Sequence, residues 1–277
     1  MSSVLSLHHE GQLLRVDLAD AVDLSLLLDP AAPGPGFFGA DDPRVEVLRA
    51  GEWIGSTAAG GGCNVRVWRV NPHCNGTHTE SASHVVDALL PPTTLAVPLL
   101  LPALFVRVLA ARADASDDAR HPVGEPDDRV IDAAALTRAL APHERPWRPP
   151  ALVVQTQPDA EQARTRRYDG PSPHPYFTRE AMQLLRRRGV EHLLVDTPSL
   201  DRAHDGGHMI AHRTFWELPP TGHAPPPAHA RARTVSEFVV APATLAEGHG
   251  LLNLQLAAWA NDAVPSRPVF MPLLQAP

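Results

Sequence analysis

Residues 71–84 read "NPHCNGTHTESASH". These fourteen positions hold three imidazoles (His73, His78, His84), a thiol (Cys74), a carboxylate (Glu80) and one glycine (Gly76). Side chains two apart on an extended segment leave the same face, so His78 and Glu80 pair naturally there. Gly76 lets another stretch of backbone approach closely. His84 lies four residues past Glu80 and returns to it if the chain turns helical. The run therefore supplies two or three donors, whereas a hydrolytic metal site needs three or four plus an open position for water. The remaining donors must come from far along the chain.

Outward from this run, "GCNVRVWRVNP" (62–72) alternates apolar and polar residues, the pattern of a half-buried strand fed by a turn at Gly60, Gly61 and Gly62. "PALFVRVLAA" (102–111) and "ALVVQT" (151–156) read as strands. Between them, "IDAAALTRALAP" (131–142) has helical spacing, with Asp132 as N-cap and Pro142 as stop. "FTREAMQLLRRRGVEHLLVDTPSLD" (177–201) predicts a helix capped by Thr178 and ended by Gly189, followed by a strand at 191–197. "TVSEFVVAP" (234–242) and "GLLNLQLAAW" (250–259) complete the strand set. The proline-rich segments 141–150 and 217–232 read as surface connections, because strand patterns resume on each side. Strands alternating irregularly with few helices predict one α/β domain, residues 1–277, built on a mixed sheet.

Composition removes several function classes. The 277 residues suffice for a large buried core. All 24 basic side chains are arginine, which excludes a Schiff-base lysine and a phosphate-loop lysine. A net charge of -7 gives no electrostatic footprint for nucleic acid. Cys63 and Cys74, the only cysteines, cannot build a four-thiolate zinc site or a disulfide framework. His8, His9, Glu10, Arg15, Asp17 and Asp20 leave no apolar signal-peptide core in the first twenty residues. The most apolar run, 95–111, is broken by Pro98, Pro102 and Arg107 and is too short to span a bilayer. The expectation is a cytoplasmic protein with a small-molecule substrate and no nucleic-acid or membrane partner.

Two regions can supply distant donors. Glu237 sits among Val235, Phe238, Val239 and Val240. A buried carboxylate there costs several kcal/mol unless it is paired or binds a cation; on an edge strand it would face solvent instead. "HDGGHMIAHR" (204–213) offers His204, His208 and His212 at helical spacing, but Gly206 and Gly207 argue against a helix across them. His223 and His229 fall in a proline-rich connection and read as solvated. No G-x-S-x-G elbow is present, so serine-hydrolase chemistry is not indicated. Phe37, Phe38, Trp53 and Trp68 are candidate walls of a substrate pocket and equally candidate core residues.

The chain resembles the cyclase family, which includes bacterial kynurenine formamidase and isatin hydrolase and carries the signature H-x-G-T-H-x-D-x-P-x-H. "CNGTHTESASH" (74–84) stands in that register, supported by "VDLSLLL" (22–28), "VDTPSLD" (195–201), "AHRTFW" (211–216) and "TVSEF" (234–238). The resemblance implies a swivelling β/β/α fold and a mono- or binuclear divalent site, zinc or manganese. It assigns His78, Glu80, His212 and Glu237 as metal ligands and His84 as general acid/base. It also implies an arylformamidase-like hydrolase of tryptophan catabolism, and a dimer or tetramer is expected. Three positions depart from the signature: Cys74 for the first histidine, Glu80 for aspartate and Ala82 for proline. Cys74 is a candidate ligand for a soft divalent ion such as zinc. His73 is the substitute, though an extended backbone would point it to the opposite face. A metal- or ligand-binding protein that has lost turnover is the alternative reading.

Overall fold

In the computed structural model, which describes residues 3–95, 97–119, 124–156, 160–170 and 174–274, seven strands wrap into a closed barrel, one of which, at 263–272, the sequence pattern does not announce. Its seven strands are β1 (His78–Glu80), β2 (Leu101–Arg107), β3 (Ala151–Gln155), β4 (His192–Val195), β5 (Thr234–Glu237), β6 (Gly248–Leu256) and β7 (Ala263–Pro272). Pairing runs β6–β2–β3–β4–β5–β1–β7, and β7 returns to β6. Neighbours from β2 through β5 are parallel, and the other pairings are antiparallel. The expected α/β fold with a mixed sheet is what forms.

Parallel neighbours need crossovers, which the helices supply. After α1 (Pro72–Asn75), α2 (Ala133–Leu140) links β2 to β3, α3 (Arg179–Arg187) links β3 to β4, and α4 (Ile210–Phe215) links β4 to β5. Asp132 caps α2 as predicted, its carboxylate accepting from Ala135 N at 2.7 Å. Thr178 caps α3 through Ala181 N at 3.1 Å, and Gly189 follows the helix at φ +78. Each cap contributes about 1 kcal/mol.

Alternation along the parallel strands fills both faces. Leu104, Val106, Leu152, Val154, Leu193 and Val195 pack outward against Leu136, Met182, Leu185 and Phe215 of the helices. Ala103, Phe105, Val153 and Leu194 point the other way, to Leu252 and Phe270 inside the barrel. Strands covered on both faces read as unbroken apolar runs, hence "ALVVQ" of β3, buried at every position. Phe105 and Phe270 meet with ring centroids 6.2 Å apart, and truncating Phe105 to alanine would cost about 3–5 kcal/mol.

Three expectations change. The strand expected at 62–72 shortens to Arg66–Arg69, pairs with Arg44–Val47 in a two-stranded ribbon, and is exposed rather than half-buried. All four of its residues are exposed, so its alternation marks no core side. The strand expected at 234–242 stops at Glu237, because Phe238 adopts φ +55 and turns the chain away. Nor is Glu237 on an edge: β5 lies between β4 and β1, and Glu237 is 3% exposed. Among the described residues no helix is long and apolar enough to cross a membrane.

Candidate metal centre

The "GTHTE" stretch becomes β1, the short strand joining β5 to β7. His78 lies directly opposite Glu237 in the β1–β5 ladder, and Glu80 lies opposite Val235. Val235 belongs to the helix-facing core, so this is the face on which His78, Glu80 and Glu237 gather. Thr79 and Ser236 take the other face and share a hydrogen bond of 2.7 Å. His78 Nε2 stands 3.3 Å from Glu237 Oε2.

The fourth side chain comes from α4. His212 Nε2 lies 2.9 Å from Glu80 Oε1 and 3.4 Å from Glu237 Oε1. Asp201 sets its position twice over. Its carboxylate accepts from the first-turn N–H groups of Ala211 and His212, at 2.6 and 3.2 Å, and from His212 Nδ1 at 2.6 Å. It thereby ties down the start of α4 and orients the imidazole the helix carries. His78 is oriented in the same way, its Nδ1 donating to Gly76 O at 2.9 Å. Both rings thus turn Nε2 toward the carboxylates.

Those inward atoms have no hydrogen-bond partner. His78 Nε2, His212 Nε2 and both oxygens of Glu80 are buried and lie outside hydrogen-bond geometry despite the short contacts. Buried polar atoms left in this state cost about 1–3 kcal/mol each, more when charged. Two imidazole nitrogens with fixed tautomers, converging on two carboxylates, form a donor set suited to a divalent cation. The set fits.

His73 and His84 stand beside it. The expectation that His73 points away is overturned, because Pro72–Asn75 is a helical turn and not extended chain. Asn71 caps it, accepting from His73 N at 3.1 Å, and Pro72 fills its first position. His73 Nδ1 reaches Glu80 Oε2 at 3.1 Å, while its Nε2 donates to Asp262 at 2.8 Å. His84, at the end of the turn Ala82–His84, stacks on His73 with centroids 4.3 Å apart. Its Nδ1 lies 3.8 Å from both Glu80 Oε2 and Asp262 Oδ2.

The charges support one another. Burial alone would raise Glu80, but the charges of His84 and His212 hold it well below the usual carboxylate range. Burial would lower His212, yet Glu80 and the Asp201 hydrogen bond push it well above its ordinary value. Burial likewise opposes charge on His73, but Asp262 and Glu80 raise it to about 10. A divalent cation on the same donors would displace such protons.

A cavity of about 560 Å³ opens over this cluster, with His73, Cys74, His84 and Glu237 on its wall. Phe37 and Phe38 line it as the sequence suggested, whereas Trp53 and Trp68 do not and stand exposed. Cys74 is buried, and burial together with the Glu237 charge pushes its thiol up to about 11. It belongs to none of the three donor trios found among the described residues, which are drawn from His73, His78, Glu80, His84, His212 and Asp262. His204 lines the cavity from a loop, and α4 begins only at Ile210, in keeping with the glycines at 206 and 207. His223 and His229 are both exposed, as expected, and His223 also makes a contact of 3.2 Å to Val85 O through its ring. Sequence reasoning assigned no role to Asp201 or Asp262. Asp201 lay within the "VDTPSLD" stretch, and Asp262 carried no signal beyond a polar turn.

A family model described as "Putative cyclase" matches residues 22–202. The chain belongs to the cyclase family. His212, Glu237 and Asp262 lie beyond the matched segment. Among solved structures, isatin hydrolase A from Labrenzia aggregata, bound to benzyl benzoate, is 20% identical, with 92% of this chain and 94% of that one covered at a TM-score of 0.60. An isatin hydrolase bound to the product analogue thioisatinate is 15% identical, covering 92% and 93% at 0.60. A "predicted metal-dependent hydrolase" from Bacillus stearothermophilus is 14% identical, covering 91% and 97% at 0.54. At these identities the likeness establishes the cyclase fold. The sequence matches none of the curated proteins.

Proposed function

We propose that this cyclase-family chain is a metal-dependent hydrolase that opens an amide, formamide or lactone bond of a small aromatic molecule. The observation that carries the reading is the set of unpartnered buried atoms on His78, Glu80 and His212, next to Glu237 and His84 on the cavity wall. These residues and Glu237 would hold one divalent cation, zinc or manganese. Bound there, such an ion would supply Lewis acidity toward a carbonyl and lower the pKa of its water to about 7. The protein supplies the rest. Asp201 and Gly76 fix the tautomers of the two histidines through 2.6 and 2.9 Å contacts. Phe37 and Phe38 give an apolar wall for a flat ring. His84, on the same cavity, takes the proton from the attacking water and returns it to the departing nitrogen or oxygen, a role worth about 10²–10⁴ in rate. Isatin, a cyclic aromatic amide, falls in the class this cavity would take, as do arylformamides such as formyl-kynurenine.

Metal analysis of untagged protein, with assays on isatin, an arylformamide and an aromatic lactone, tests this reading. About one ion per chain is expected, with turnover of at least one substrate lost on chelation and restored by zinc or manganese. Full activity in metal-free protein would overturn it. So would metal-loaded protein inert on all three classes, which would leave a binding protein.

A further inference from the structure

We infer that Asp262 is a positioning residue of this centre, holding the stacked His73–His84 pair so that His84 presents Nε2 to the cavity. The inference rests on the acid/base role proposed above for His84.

Asp262 comes from the far end of the chain, 189 residues from His73. The β7–β1 ladder begins one residue later, where Ala263 pairs with Glu80. Two hydrogen bonds lock the junction: Ser81 N donates to the backbone O of Asp262 at 3.1 Å, and the side-chain Nδ2 of Asn261 donates to Ala263 O at 3.1 Å. The carboxylate is therefore borne on the residue that immediately precedes the ladder carrying Glu80, tied to it through Ser81, which gives it the fixed placement a supporting residue needs.

One oxygen, Oδ2, serves both rings. It accepts from His73 Nε2 at 2.8 Å and faces His84 Nδ1 at 3.8 Å. The His73 ring, hydrogen-bonded to Asp262 through Nε2 and with Nδ1 in contact with Glu80 at 3.1 Å, lies between the two carboxylates as a plate stacked on His84. With Nδ1 of His84 directed at the carboxylates, Nε2 is the nitrogen left for substrate. A carboxylate behind an imidazole favours the Nδ1–H tautomer and leaves Nε2 free to accept a proton. His73 has its own part in this: the short helix Pro72–Asn75 brings it under His84, and Asp262 keeps it there.

The test compares Asp262→Asn, Asp262→Ala and Asp262→Glu in manganese-loaded protein. Metal stoichiometry should stay unchanged in all three, since Asp262 is not a cation ligand in this reading. With isatin or an arylformamide as probe, kcat should fall about 10–100-fold in the first two with KM nearly constant, and recover in part in Asp262→Glu. Unchanged kcat in Asp262→Ala, or loss of metal with activity, would overturn the assignment. A second readout needs no turnover. In zinc-loaded protein, long-range nitrogen–proton NMR should show His84 as the Nδ1–H tautomer in wild type and shifted toward Nε2–H in Asp262→Ala. An identical tautomer in both would overturn the inference even if the hydrolase reading held. A shifted tautomer in a protein inert toward every probe would uphold the positioning role and sink the hydrolase reading alone.

Discussion

His78 and Glu237 are direct partners across the β1–β5 ladder, with Nε2 and Oε2 3.3 Å apart. Directly opposed residues of an antiparallel pair share a face, so strand register itself builds half of the centre. A slip of one residue would bring Thr79 and Ser236 to that face and turn both ligand candidates inward. Barrel closure resists the slip, because β7 fixes the other edge of β1 at Ala263, Val264 and Pro265.

Glu237→Gln tests this pairing with little change of shape. Glu237 Oε1 accepts from Leu200 N at 3.0 Å, a bond the amide oxygen of glutamine can keep, so the fold should persist. Metal affinity should drop by more than about 100-fold, beyond what loss of an outer-shell partner costs. Calorimetric titration with zinc checks it, and unchanged affinity would remove Glu237 from the ligand set.

His78→Ala and His84→Ala should fail in different ways. His78 is fully buried with Nε2 aimed at Glu237, so its loss should empty or weaken the site. His84 lies on the cavity wall, and its loss should leave the ion bound while turnover falls about 10²–10⁴-fold. Metal content measured beside kcat separates the two outcomes.

Cys74 lies where the family signature has its first histidine, and its neighbourhood is that of a wall residue. Cys74→Ser should shift metal affinity less than about threefold. Alkylation should be slow with and without zinc, as expected of a buried thiol. A tenfold or greater loss of affinity in Cys74→Ser would make it a ligand after all.

Much of the fold could be read locally, because the parallel strands are short apolar runs bounded by capped helices. Asp132 and Thr178 announced two of those helices correctly. Asn71-Pro72 is an equally plain N-cap and first-turn pair, and reading the segment as extended chain misplaced His73. The exposed ribbon 66–69 alternates like a core strand, since pattern cannot tell a covered face from a bare one. Asp262 was invisible for a different reason: its role depends on how the barrel closes, and closure is a property of all seven strands together.

His192 gives the stability of the barrel a predictable acid limb, independent of the centre. It starts β4, is 3% exposed, and its Nδ1 meets Thr234 Oγ1 at 2.9 Å. Burial, which penalises the charged ring, lowers its pKa to about 4. In the unfolded chain histidine titrates near 6.5, so between the two values the unfolded state binds the extra proton. The contribution of neutral His192 is therefore complete above about pH 6.5 and is lost as pH falls toward 4, by an amount of order 3 kcal/mol. His174, also lowered to about 4 mainly by burial, adds a limb of the same sign, so a single variant must separate them. His192→Asn can keep the bond to Thr234 but cannot titrate. Urea midpoints measured from pH 7 to pH 4 should fall less steeply for His192→Asn than for wild type, and parallel curves would show that His192 is not charged on unfolding in this range.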